Sequence, residues 1–66
     1  MDLKINGKIE RVDNISSIID LVLMKGLFPD KIVVEHNYCI VSREQWQDIR
    51  LQEQDNIEIV SFVAGG

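Results

Sequence analysis

The group in this chain best placed to do chemistry is the α-carboxylate of Gly66, at the end of Ala64-Gly65-Gly66. No side chain shields it. A glycine pair can enter a channel too narrow for any Cβ and can take φ of either sign on the way. Just upstream, Ile57-Glu58-Ile59-Val60-Ser61-Phe62-Val63 is rich in β-branched residues and reads as a strand. A strand feeding a bare diglycine is suited to offering a carboxyl terminus to another protein's active site. Terminal segments are often glycine-rich for no functional reason, so the pair gains meaning from the chain that precedes it.

No other side chain competes for a chemical role. Cys39 is the sole cysteine. With no cation or second thiol nearby in sequence it reads as a small packing residue. It excludes an internal disulfide framework and fits a reducing cytosol. His36 is the sole histidine and has no partner at metal-ligand spacing. Glu53 and Asp55 fall in the polar stretch Gln52-Glu53-Gln54-Asp55-Asn56, where a solvated turn is the expected reading and not a metal site. Together with Asp48 they are available to meet a basic partner. The chain holds no nucleophile–base pair and no phosphate-binding loop.

Size and charge point the same way. Sixty-six residues make one small domain, which buries only about 60% of its unfolded surface. An enclosed substrate cavity with its own catalytic shell hardly fits, so a binding or carrier module is expected and not an enzyme. Seven basic and eleven acidic residues leave a net charge of −4. The basic residues are dispersed, which argues against a nucleic-acid ligand, and an acidic body is steered towards basic partner surfaces. No apolar stretch approaches the ~20 residues of a membrane span, and Met1-Asp2-Leu3-Lys4-Ile5 lacks a signal-peptide pattern. The expectation is a soluble cytoplasmic protein that binds neither nucleic acid nor membrane.

The elements that must position the tail are legible in order. Leu3-Lys4-Ile5, Asn6-Gly7 and Lys8-Ile9-Glu10-Arg11-Val12 read as a β-hairpin. A two-residue loop sets Ile5 opposite Lys8 and sends Ile9 to the other face. A longer loop or a bulge sets Ile5 opposite Ile9, and the register stays open at this point. Asn14 is a good N-cap, with Ser17 in support, for a helix whose Ile15, Ile18, Ile19 and Val22 share one face. Leu21, Leu23 and Met24 widen that apolar share, so the helix is expected to be more than half buried or partner-covered. Gly26 ends the helix, Leu27-Phe28 pack back under it, and Pro29 prevents continuation. Lys31 to His36 reads as a strand, Asn37-Tyr38 as a turn, and Cys39-Ile40-Val41 as a second extended piece. Ser42 caps a short helix over Arg43 to Asp48, with Trp46 as a core lid. The last strand breaks alternation at Val60, Phe62 and Val63, which predicts an exposed apolar patch beside the tail. The order β-β-α-β-(β)-short helix-β predicts a helix across one face of a mixed sheet.

This order, with a terminal Gly-Gly at this length, resembles the ubiquitin-like β-grasp sulfur carriers. The likeness is closest to the ThiS family of thiamin thiazole biosynthesis. It rests on Ile5-Asn6-Gly7, on Asn37-Tyr-Cys-Ile-Val-Ser-Arg-Glu-Gln-Trp46 and on Asp55 to Gly66. The resemblance implies an α+β β-grasp fold with a mixed four- to five-stranded sheet over residues 1–63, one main helix on one face and a short second one. Residues 64–66 then form a flexible tail. It implies a sulfur carrier with no catalytic residue, metal or bound cofactor of its own. An ATP-dependent, ThiF-like enzyme adenylates Gly66, cysteine-derived sulfur displaces AMP, and the thiocarboxylate serves thiazole synthase. Ala64, Gly65 and Gly66 enter the partner's active site, and Val60, Phe62 and Val63 dock the tail's root. The alternatives are a molybdopterin-type carrier, a ubiquitin-like modifier and a plain interaction domain with an incidental tail. Tyr38, Ser42 and Gln54 depart from the small, Pro or Gly residues often found there in the family. If φ > 0 is needed at 38 or 54, each costs about 1 kcal/mol.

Overall fold

A computed structural model describes residues 1–62 of the chain. Val63, Ala64, Gly65 and Gly66 lie outside the described residues, and with them the expected tail and the last residue of the expected domain. The elements are β1 (Asp2–Ile5), β2 (Lys8–Arg11), α1 (Ile18–Met24), β3 (Ile32–His36), β4 (Cys39–Val41) and β5 (Asn56–Ser61), with one-turn 3-10 helices at Pro29–Lys31 and Arg43–Gln45. The sheet order is β2-β1-β5-β3-β4. The last strand is therefore the central one, parallel to β1 and antiparallel to β3. This is the expected β-grasp arrangement, a mixed five-stranded sheet with one main helix.

The first hairpin closes with the tighter of the two registers. Ile5 pairs with Lys8 and Lys4 with Ile9, across a two-residue turn with φ of 50° at Asn6 and 84° at Gly7. Positive φ at both positions gives the turn whose twist matches the strands. The consequence is a division of faces. Leu3 and Ile5 enter the core, while Ile9 goes with Lys4 to the open face and stays exposed.

The helix starts later than the sequence suggests. Its N-cap is Ser17, not Asn14, and Asn14 sits at φ 63° in the loop before it. An N-cap needs extended backbone, which Ser17 has at φ −125° and ψ 168°. Ser17 and Asp20 then form a reciprocal capping box: Asp20 N–H donates to Ser17 Oγ at 3.3 Å, and Asp20 Oδ2 accepts from Ser17 N–H at 3.1 Å. The N–H groups of Ser16 and Ser17 hold the Asp20 carboxyl below its ordinary pKa, against a smaller opposing effect of burial. Only seven residues are helical, and Ile18, Leu21 and Val22 are the ones buried. Ile15 packs on the core from the preceding loop, whereas Leu23 and Met24 face out.

The helix ends as expected at Gly26, φ 72°. Gly26 N–H donates to Leu23 O at 3.0 Å and Leu27 N–H to Val22 O at 3.1 Å, the paired bonds of a Schellman motif. Leu27 packs against the core. Phe28 does not: it is 69% exposed, because Leu27 already fills the apolar position under the helix end.

Eleven apolar side chains form the core, among them Leu3, Ile5, Leu21, Val34, Trp46 and Ile57. Trp46 is 2% exposed and donates from Nε1 to Val41 O at 3.3 Å, which confirms its role as a lid. The short helix before it is one 3-10 turn, Arg43–Gln45, and not the longer piece to Asp48. The chain is pulled out of helix because Leu51 N–H bonds Ser16 O at 2.8 Å and Arg50 bridges to Ser17. Cys39 is exposed on the edge strand β4 and is not a packing residue, since nothing lies beyond that edge to cover it.

Candidate functional site

The site is built around the C-terminal half of β5. Ile57 is fully buried between β1 and β3, which fixes the strand at its start. On the β1 side the ladder ends on Asn6. Its N–H donates to Ile57 O at 2.9 Å, and its Oδ1 accepts from Ile59 N–H at 2.7 Å. One side chain thus completes the pairing that the tight turn cuts short. Beyond Ile59 the strand is held by β3, through Val33–Val60 and Ile32–Ser61, and Phe62 N–H still donates to Lys31 O at 3.0 Å. The backbone leading to the tail is therefore held up to Phe62.

Val60 and Phe62 are both exposed, as the broken alternation predicts. Val63, Ala64, Gly65 and Gly66, the other expected site residues, lie outside the described residues. The structure adds two neighbours that sequence reasoning missed. Val33 pairs with Val60 across the strands, and Ile40 on β4 lies in the adjoining row. Both are exposed. The signal that could have found Val33 is strand alternation, since Ile32 and Val34 take the core positions on either side of it.

Asp55 does not lie in a solvated turn. Its side chain is 12% exposed. Oδ2 lies 2.8 Å from His36 Nε2 and accepts from Gln52 N–H at 2.9 Å, while Oδ1 accepts from Asn37 Nδ2 at 3.2 Å. Burial pushes the carboxyl pKa up, but His36, the Gln52 N–H and Asn37 outweigh it and hold it below its ordinary value. Glu53 is also engaged, accepting from Asp2 N–H at 2.7 Å. Of the three acidic residues expected to greet a partner, only Asp48 stands free of such bonds among the described residues. The network is structural: it ties the residues entering β5 to the end of β3.

A shallow depression of about 440 Å³ lies between α1 and the 3-10 turn, lined by Ile19, Arg43, Glu44, Trp46 and Gln47. It holds no nucleophile–base pair. Among the described residues no three His, Cys, Asp or Glu side chains could hold a metal ion, and no helix is long and apolar enough to cross a membrane.

Comparison with known proteins agrees with this geometry. The sequence model of the ThiS family matches residues 3–66. The chain is similar to the sulfur carrier protein ThiS of Bacillus subtilis, 35% identical over 97% of this chain and 98% of that one. It is equally similar to a thiazole synthase of Magnetococcus marinus, at 35% identity over the whole chain, but it spans only 20% of that protein's length. Among solved structures it is similar to the thiamine biosynthesis protein ThiS of Geobacter metallireducens, with a TM-score of 0.81, 29% identity and full coverage of both chains.

Proposed function

The chain belongs to the ThiS family, and from that premise we propose that it carries sulfur on the carboxyl terminus of Gly66 for thiamin thiazole formation. The observation that carries the reading is that the family match runs through residue 66 and so includes the diglycine. The held strand end at Phe62 supports it, because a rigid root is what a tail inserted into another protein needs. Four residues, 63 to 66, reach about 13 Å when extended, at ~3.3 Å each.

The chemistry follows from the carboxylate's weakness as an electrophile. Its oxygen attacks the α-phosphorus of ATP on an adenylating, ThiF-like enzyme, and pyrophosphate leaves. A cysteine-derived sulfur nucleophile then attacks the acyl carbon, the C–O bond to AMP breaks, and AMP departs with the electron pair. The resulting thiocarboxylate is ionised, soft and nucleophilic, and thiazole synthase is its acceptor. Acid, base and nucleotide-binding groups belong to the partners, so this chain is a protein co-substrate with no cofactor of its own. Val60, Phe62 and Val63 seat the tail's root in them. The setting is the cytoplasm, where ATP and reduced sulfur are at hand.

The test is intact mass after incubation with ATP, the adenylating enzyme and a cysteine-based sulfur source. The expected result is replacement of one oxygen by sulfur, confined to Gly66. An unchanged mass with several competent adenylating enzymes counts against the proposal. Transfer to thiazole synthase, and not to molybdopterin synthase, identifies the branch.

A further inference from the structure

Alternation places Val33 and Glu35 of β3, and Glu58 and Val60 of β5, on the sheet face turned away from α1, since Ile32, Val34 and Ile57 fill the core. Across the strands Val33 faces Val60, and Glu35 stands directly opposite Glu58. Ile40 flanks Glu35 on the outer strand, and Phe62 follows Val60. The apolar members are well exposed: Ile40 71%, Val60 56%, Phe62 47% and Val33 38%. Among the described residues the ion pairs involve the carboxylates of Asp2, Glu10, Asp13 and Asp55, so neither Glu35 nor Glu58 has a cation in reach. Like charges directly opposite each other weaken a sheet.

We propose that this face docks the adenylating partner, which lays apolar side chains over Val33, Ile40, Val60 and Phe62 and sets a basic group, best a guanidinium, between Glu35 and Glu58. Two observations select that occupant. The patch runs into Phe62, the last described residue before the tail, so a protein acting on the Gly66 carboxylate meets this face. The paired carboxylates also present two anionic acceptors side by side, and a planar guanidinium with donors along both edges matches them where an ammonium does so less well. A second copy of the chain is the poorer fit, because a two-fold contact through this face brings one Glu35–Glu58 row towards the other. The inference rests on the sulfur-carrier reading.

The experiment measures pyrophosphate release by the adenylating enzyme against concentration of the full chain, at several salt concentrations. It compares wild type with E35Q/E58Q, E35K/E58K and, as a control on the 3-10 turn, E44Q. The charge reversal is expected to raise KM roughly tenfold, with kcat nearly unchanged, the signature of lost docking. The neutral pair is expected to raise KM less and to flatten its salt dependence. The melting temperature of E35Q/E58Q is expected to rise, because the repulsion is gone, which separates weak docking from poor folding. E44Q is expected to keep the wild-type KM. A wild-type KM and salt dependence in both paired variants overturns this surface and leaves the carrier reading standing. A wild-type chain that no adenylating enzyme accepts overturns both. Sedimentation showing a dimer that V60D dissolves assigns the face to a second copy and also overturns the proposal.

Discussion

His36 Nε2 lies 2.8 Å from Asp55 Oδ2, joining the end of β3 to the residue before β5. Around this contact Asn37 completes a local clamp. Its N–H donates to Asn56 O at 2.7 Å and its Oδ1 accepts from Asn56 N–H at 2.8 Å. Asp55 therefore holds the entry of the strand that carries the tail.

A pH dependence follows. The folded pKa of Asp55 is depressed below its ordinary 3.8. Its contribution to stability is therefore complete above the unfolded value and is lost as pH falls through the folded one. Unfolding in urea is expected to show a stability plateau above about pH 5 and a decline below about pH 4. In D55N that acid decline is expected to shrink, and stability at neutral pH to fall by about 1–3 kcal/mol as the partners lose their charged acceptor. An unaltered acid limb in D55N would falsify the assignment.

Asn6 has two tasks, a positive-φ turn position and an acceptor for Ile59 N–H at 2.7 Å. Asn6→Ala is expected to cost about 1–2 kcal/mol, from left-handed strain and a lost bond to the central strand. Asn6→Gly relieves the strain and keeps only the second loss. Urea midpoints ordered wild type, N6G, N6A check this. Equal midpoints for the two variants would remove the backbone part of the account.

Tyr38 and Gln54 stand at φ 71° and 67°, the two positions where the sequence departs from small or glycine-like turn residues. Each is expected to store about 1 kcal/mol relative to glycine. Y38G and Q54G are each expected to raise the melting temperature by a few degrees in a domain of this size. A lower melting temperature for Y38G shows that the exposed ring contributes something the strain does not offset.

The tail is expected to be uncoupled from folding. Deleting Gly65-Gly66, or appending one alanine, is expected to leave the melting temperature unchanged while abolishing thiocarboxylate formation and growth without added thiamin. Growth at the wild-type rate with the appended alanine would end the carrier reading.

The elements that local chemistry specifies were legible in the sequence. Asn6-Gly7 marked a turn, Gly26 a helix stop, the β-branched runs of β3 and β5 their strands, and Trp46 a buried indole. The exposed patch at Val60 and Phe62 followed from broken alternation. The helix start was not legible, because Asn14 and Ser17 are equally good caps in isolation. The choice fell to Ser17, which alone has extended backbone, a reciprocal Asp20 and a neighbour bonded to Leu51. The burial of Asp55 and the exposure of Cys39 were equally hidden. A polar turn becomes a buried hub only when β3 is laid beside it, and a small thiol stays exposed only when its strand is the sheet's edge. The opposition of Glu35 and Glu58 depends on a register between segments 23 residues apart in number, Glu35 to Glu58. Periodicity along one strand names the faces; which residues meet across strands is settled by packing the whole sheet on α1, where one register buries Leu3, Ile5, Val34 and Ile57 together.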